Sequence, residues 1–202
     1  INKEGILLTF KLSKRSMIRE SYRQKSDTEL VKSSLEGDKQ AFSEIVKRYQ
    51  GMVARTVKAM LGDSVFSEDI GQDVFIKLYY SLSGFRGEAK LSTYIQKIAV
   101  NLTLNEIKRR KRFFSTFSQK GNNEMYEFEI ADHDTEEKKD ARELVGKALK
   151  KLDPKFRVIV VMRMLQGYST KETAEILDIP IGTVLSRLSR AQEQMRIILE
   201  KM

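Results

Sequence analysis

Only two prolines, Pro154 and Pro180, interrupt the 202 residues, and no stretch alternates apolar and polar side chains strongly enough to read as a half-buried strand. Apolar side chains instead recur at three- and four-residue spacing, so an all-α chain is expected. Asp153 precedes Pro154, which suits a helix with an acidic N-cap and a proline at its first position, where the missing amide proton costs nothing. Gly167 is placed to end that helix.

The last third adds two more helical signals in close succession. Ser169 and Glu172 have capping-box spacing at the head of a short helix. Asp178 stands where the chain must turn, at a position that needs a left-handed backbone and that Asp tolerates better than most residues. In the helix that follows, Thr183, Ser186, Arg187, Arg190 and Gln194 share one sector, while Val184, Leu188, Ala191 and Met195 share the roughly opposite one. One face is made to pack and the other to enter a groove. Two short helices joined this way form a helix-turn-helix, and its arginines and hydroxyls can contact base edges and phosphates of duplex DNA. A lone amphipathic helix with arginines on its solvated face would carry far less weight than this pair.

A first helical block is expected over residues 27–113. A helix near residues 38–50 places Phe42, Ile45, Val46 and Tyr49 at core spacing, and a second near 52–61 does so with Val53, Val57 and Met60. Ser67 can cap a third helix, with Glu68 and Asp69 in its first turn. There Ile70, Val74 and Leu78 make a packing stripe, and Asp69, Gln72, Asp73 and Ile76 share another face. An acidic, amide-bearing face is a poor surface for DNA and a reasonable one for protein.

A longer helix over about residues 92–112 has two apolar sectors, Ile95, Ile98, Ala99 and Leu102 on one and Val100, Leu104 and Ile107 on the other. Such a helix should pack on both sides. Between the sectors, Tyr94, Lys97, Asn101, Asn105, Lys108 and Arg112 line a narrow polar strip. A ring for stacking, amides for base edges and cations for phosphates suit single-stranded DNA.

Residues 114–136 change composition to Ser, Gln, Gly, Asn and then acids, which reads as a flexible acidic linker. A second block, residues 137–202, resumes with a helix carrying Leu144, Ala148, Leu149 and Leu152 and ends in the helix-turn-helix. Residues 1–26 are expected to be a disordered or partly non-native extension, with Met17 as the natural start. They lack the apolar core and cleavage site of a secretory signal.

The net charge of +9 points to a polyanionic partner. No apolar run reaches bilayer length, so stable membrane insertion is not expected. With no cysteine, disulfides and thiolate metal sites are excluded, in keeping with a cytoplasmic protein. No cofactor or metal is expected, nor catalysis. The single histidine, His133, lies in the linker, and neither a phosphate-binding glycine loop nor a tight carboxylate cluster occurs.

Several segments in order resemble one family. They are Ala41-Phe42 through Arg48-Tyr49, Ser67 through Leu78, Phe85-Arg86-Gly87, Ser92 through Ile95 with Ile98 through Asn101, the basic run Lys108 to Arg112, and the terminal helix-turn-helix. Together they resemble the bacterial RNA polymerase sigma factors of the extracytoplasmic-function type, in the sigma-70 family. The resemblance implies two helical domains, a region 2-like bundle and a region 4-like helix-turn-helix, with core RNA polymerase (β′ clamp and β flap) and promoter DNA as partners. An anti-sigma factor is a further candidate partner.

By motif position, Asp69, Gln72, Asp73 and Ile76 would dock on the polymerase clamp. Phe85, Arg86 and Gly87 would form the loop that, with Tyr94, Lys97, Ile98 and Asn101, opens the minus 10 element and holds a flipped base; Asn105, Lys108 and Arg112 extend this surface. Thr183, Ser186, Arg187 and Arg190 would meet the minus 35 duplex. The resemblance also implies that the linker threads toward the polymerase active-site and RNA-exit channels. The sequence departs from the family pattern at Tyr94, where tryptophan is common, and at Leu185, Ser189 and Gln192, where cations are frequent.

The alternative is a conventional dimeric helix-turn-helix regulator whose first block senses a ligand. It explains the last third but gives no reason for the Gln72 face or the strip from Tyr94 to Arg112.

Overall fold

The computed structural model describes residues 20–62, 65–117 and 136–202, and every helix or strand assigned among them is a helix. Residues 118–135, with His133 and most of the expected linker, and residues 1–19, with Met17, lie outside the described residues.

The first domain comprises α1 (Asp27–Leu35), α2 (Lys39–Leu61), α3 (Val65–Ser81) and α4 (Leu91–Phe117). Ser26 and Glu29 form a reciprocal capping box at the head of α1. Asp38 caps α2 by accepting from the amides of Gln40 and Ala41. The two helices expected over 38–50 and 52–61 are one. Gly51 lies inside α2, where its cost of ~1 kcal/mol relative to Ala is outweighed by burial of Ile45, Val53, Val57 and Met60 along the same helix.

The third helix also starts earlier than expected. Ser67 is not its cap; it sits within α3, buried, and its hydroxyl donates back to the Gly62 carbonyl. The buried stripe of α3 does fall on Val74 and Leu78, with Ile70 partly buried beside them. These residues meet Leu30, Ile45, Val57, Ile95 and Ala99 in one core.

Structured chain begins before residue 27. Residues 20–24 are helical, and Arg48 donates to the carbonyls of Tyr22, Arg23 and Lys25 at 3.0, 3.0 and 2.6 Å. The Tyr22 hydroxyl donates to Asp38 at 2.7 Å. The end of the expected 1–26 extension is therefore docked on α2, and at the other boundary residues 114–117 continue α4 rather than open the linker.

The second domain comprises α5 (Glu136–Lys151), α6 (Pro154–Val160), α7 (Thr170–Leu177) and α8 (Ile181–Glu200). Asp153 accepts from the Lys155 amide with Pro154 at the first turn, as its sequence predicts. After α6 the chain widens into one π-helical turn, Val161–Leu165, before Gly167 takes a φ of +73°. Ser169 and Glu172 form the expected capping box, and Asp178 is left-handed at φ 55°. Leu144 departs from expectation. It is 41% exposed, and the neighbouring Val145 packs against Leu149, Leu152 and Ala191 instead.

The two domains share a core. Met60 of α2 and Val100 of α4 are buried with Ile159, Met162, Ile176 and Val184 of the second domain, and Leu104 and Ile107 pack beside them. Both apolar sectors of α4 are thus covered, one by its own domain and one by the other. A fully buried side chain of this size contributes roughly 1.5–3 kcal/mol, so this cluster dominates the surface contacts along the same seam.

Candidate nucleic-acid interface

The helix-turn-helix is built by local chemistry. The left-handed Asp178 reverses the chain between α7 and α8, and the Ile179 amide donates to the Ala174 carbonyl at 3.1 Å to close the turn. Val184 and Ala191 are buried and Leu188 and Met195 half-buried, which fixes the rotation of α8. The opposite face carries exposed Ser186, Arg190 and Gln194, with Thr183 and Arg187 half-buried at its margin. The Ser186 hydroxyl turns back onto the Thr183 carbonyl at 3.1 Å. Arg187 and Arg190 form no ion pair among the described residues, so their guanidinium groups are available to an external acceptor. Leu185 on the same helix is 53% exposed.

In the first domain, packing on both sides of α4 leaves its polar strip along one edge. Asn101, Asn105, Lys108 and Arg112 are exposed, and Ile98 is half-buried against the first-domain core. Tyr94 is held: its hydroxyl donates to the Ser81 carbonyl at 3.2 Å and its ring lies 5.2 Å from that of Phe85. Phe85 therefore joins the loop to the head of the strip. Exposed Arg86 follows it, and Gly87 takes a φ of +75°, a backbone that a side-chain-bearing residue would adopt only with strain.

The basic end of α4 is partly engaged internally. Glu106 accepts from Arg109 at 2.7 and 2.8 Å and from Arg110 at 2.8 Å. These donated hydrogen bonds, Arg109's foremost, hold the Glu106 carboxyl down at about 2. Arg110 also stacks over the Phe66 ring at 4.2 Å.

Lys97 is the strip residue whose surroundings the sequence does not foretell. Its ammonium lies 3.7 Å from the Asp178 carboxylate, in the helix-turn-helix turn of the other domain. Neighbouring Gln96, fully buried, donates to Thr56 at 2.7 Å and to Gln166 at 3.1 Å, so a polar node spans the seam. The strip thus meets the turn that leads into the groove-facing helix.

On α3, Asp69, Gln72, Asp73 and Ile76 are all exposed on the side away from Val74 and Leu78. Tyr80, 77% exposed and one turn beyond Ile76, continues this face, and Tyr79 is also largely exposed. These tyrosines were open to sequence reading, since they fall off the Val74–Leu78 stripe. From the Arg48-Tyr49 motif, both residues turn out to anchor Asp27 at the start of α1, Arg48 at 3.1 Å and Tyr49 through its hydroxyl.

A helical bundle packed against a helix-turn-helix is the architecture of a DNA-binding protein. The Sigma-70 region 2 family matches residues 45–113, and the Sigma-70, region 4 family matches residues 142–195. The chain is 31% identical over 173 residues to the ECF RNA polymerase sigma factor SigW of Bacillus subtilis, covering 82% of this chain and 92% of SigW. It is 34% identical over 179 residues to the ECF RNA polymerase sigma-E factor of Escherichia coli K12, covering 84% and 92% of the two chains. The fold is shared with the sigma factor RpoE of Bartonella quintana, solved with the anti-sigma factor NepR, at a TM-score of 0.64 and 21% identity over 79% of this chain and 96% of that one. It is also shared with CnrH, solved with the cytosolic domain of CnrY, at a TM-score of 0.62 and 21% identity over 87% and 97%.

The chain belongs to the extracytoplasmic-function class of the sigma-70 family. It is an RNA polymerase sigma factor, and members of this family are initiation factors rather than enzymes. Among the described residues, no helix is long and apolar enough to cross a membrane.

Proposed function

We propose that the two domains divide promoter recognition between them, residues 27–113 serving polymerase docking and the minus 10 element and residues 137–202 the minus 35 element. Asp69, Gln72, Asp73 and Ile76, continued by Tyr80, form the docking face for the β′ clamp. Phe85, Arg86, Gly87, Tyr94, Lys97, Ile98 and Asn101, with Asn105, Lys108 and Arg112, take the melted strand. Thr183, Ser186, Arg187 and Arg190 meet the minus 35 duplex while the second domain contacts the β flap. The observation that carries this reading is the strip on α4, where exposed Asn101, Asn105, Lys108 and Arg112 continue from half-buried Tyr94 and Lys97 along a helix packed on both other sides. An operator-binding dimer has no use for such a row.

Docking makes the protein a specificity subunit: polymerase supplies the catalysis and the bound chain supplies the promoter address. Tyr94 and Phe85 offer aromatic faces to unstacked bases, Asn101 offers an amide to a base edge, and the cations hold phosphates. The price of unstacking a base is met there by contacts that duplex DNA cannot make.

The Lys97–Asp178 contact adds a geometric condition. Elements about 25 base pairs apart lie on the order of 80 Å apart in a duplex, whereas here the strip meets the turn that leads into the recognition helix. The domains must therefore part before both elements are read at once, and polymerase, by holding each domain, is the agent that separates them. A partner gripping the closed pair would keep the factor silent. The solved complex of the RpoE relative with its anti-sigma factor supports such a partner for this chain.

Run-off transcription with core polymerase tests the reading. A promoter-dependent transcript that requires the protein is expected. Absence of both transcript and core association, together with tight operator binding by the protein alone, would favour the dimeric regulator.

A further inference from the structure

α2 carries a row of cations that the fold does not use. Lys47, Gly51 and Arg55 follow one another at four-residue spacing, and Ala54 and Lys58 continue the same side of the helix. Lys47, Gly51, Arg55 and Lys58 are exposed and Ala54 is half-buried, while Ile45, Val53 and Val57 pack the other side of α2 into the core. Lys47 and Arg55 form no hydrogen bond or ion pair among the described residues.

Two observations set this row apart from an ordinary solvated face. Exposed cations on other helices are paired with carboxylates about one turn away, Lys147 with Glu143 and Arg196 with Glu193 and Glu200. α2 has a single carboxylate, Glu44, which is buried and turned to Arg48. Its exposed edge is therefore cationic without relief, and like charges on neighbouring turns cost a helix stability.

Gly51 is the second observation. It weakens the helix it sits in, yet a β-carbon built there would meet only the Arg55 guanidinium, at 3.5 Å, an ordinary contact distance. Nothing inside the protein requires the side chain to be missing. A gap between two cations instead lets another molecule's backbone come close.

We infer that this edge of α2 holds the phosphate backbone of the duplex between the minus 35 and minus 10 elements. The inference rests on the proposed assignment of those elements to the two domains and adds a third contact between them. The α4 strip and the recognition helix leave the intervening duplex uncovered, and α2 runs from the first-domain core to the seam with the second domain, where Met60 is buried. The eight-residue step from Lys47 to Arg55 spans about 12 Å of helix, or roughly three to four nucleotide steps along one strand. The two cations then meet phosphates at either end of that stretch, with the strand between them lying over Gly51. Such a contact touches no base edge, so it adds affinity without sequence preference.

The test uses holoenzyme assembled with core polymerase on a promoter found by run-off transcription, in filter binding across a salt series. Lys47 and Arg55 are solvent-exposed, so the double variant Lys47→Gln, Arg55→Gln should fold, and circular dichroism checks that it does. The slope of log affinity against log salt should fall by about 1.8, at about 0.9 for each lost phosphate contact. The fall should be the same when the sequence between the elements is changed at constant length. Neutral methylphosphonates stepped through that duplex should weaken wild-type binding at a few positions and leave the double variant unaffected there. Gly51→Leu should raise the thermal midpoint, since leucine is the better helix former, and still weaken promoter binding, two effects that a purely structural glycine would not show together.

An unchanged salt slope in the double variant overturns the contact. So does a loss traced to weaker assembly with core, which would make the edge a polymerase contact, or methylphosphonate effects that are the same in variant and wild type. If Arg187→Ala weakens binding and the α2 variant does not, only the contact on α2 falls. If the slope falls as expected while Arg187→Ala leaves binding and Asn101→Ala leaves opening unchanged, the assignment of the two elements falls and the phosphate contact stands.

Discussion

Arg157 of α6 donates from Nη1 to the carbonyl oxygen of Met60, 2.7 Å away at the end of α2 in the other domain. Its Nη2 donates to the carbonyls of Lys150 and Leu152 at 2.6 and 3.1 Å, at the end of α5. One buried cation thus serves the C-terminal ends of two helices, where carbonyl dipoles concentrate negative charge. Burial works against that charge and lowers the guanidinium pKa from its ordinary value, but the carbonyls replace the lost water.

Removing Arg157 takes its guanidinium donors from all three carbonyls. Arg157→Ala is expected to cost about 2–4 kcal/mol of stability, seen as a lower urea midpoint by circular dichroism. Arg157→Lys should recover only part of the loss, because one ammonium lacks the planar fork that reaches both helix ends. Wild-type stability in the alanine variant would show that the contact carries no weight.

Glu106 sets a pH dependence. Its folded pKa of about 2 lies below the ordinary 4.5, so its contribution is complete above pH 4.5 and is lost as pH falls through the folded value. With Arg109 largely in solvent, the contribution is discounted to roughly 1–2 kcal/mol. Stability measured between pH 6 and pH 2.5 should fall less steeply in Glu106→Gln than in the wild type. Equal slopes would remove Glu106 from the account.

The left-handed turn at Asp178 predicts a size order among substitutions. Asp178→Gly should leave stability within about 0.5 kcal/mol, since glycine adopts φ 55° freely and the lost Lys97 pair is a surface contact. Asp178→Val should cost about 1–2 kcal/mol. Thermal melts of the two variants check the order, and a valine variant as stable as the glycine one would contradict the strained turn.

Much of this was legible before the structure, for one reason: caps and turns are local. Ser169 with Glu172, Asp153 with Pro154, and Asp178 each depend on neighbours within a few residues, and all three behave as their spacing predicts. Ser26 with Glu29 carries the same signal and was equally readable. The double packing of α4 was visible in its two apolar sectors. The identity of the second partner was not, because Val100 meets Ile159 and Met162 about sixty residues further along the chain, and periodicity says nothing about which surface covers a stripe. For the same reason Gln96 and Arg157, polar residues that burial makes structural, gave no sign of their roles. The break expected near Gly51 misled in another way, since a glycine weakens a helix locally while the core on either side holds it continuous.

Leu185 lies exposed on the recognition helix, two residues before Arg187. Leu185→Lys in the holoenzyme should tighten minus 35 binding, and the slope of log affinity against log salt should steepen by about 0.9 for one added phosphate contact. Arg187→Ala should weaken binding by about 1–3 kcal/mol if it reads a base edge. Filter binding across a salt series checks both, and slopes that do not move would take residue 185 off the DNA.

The central claim is that the α4 strip opens DNA for polymerase, and permanganate footprinting of holoenzyme on a promoter tests it most directly. Wild-type protein should make the minus 10 thymines reactive. Asn101→Ala should lose most of that reactivity while still binding core and duplex promoter. Equal reactivity in the variant and the wild type would contradict the assignment of the strip to strand opening.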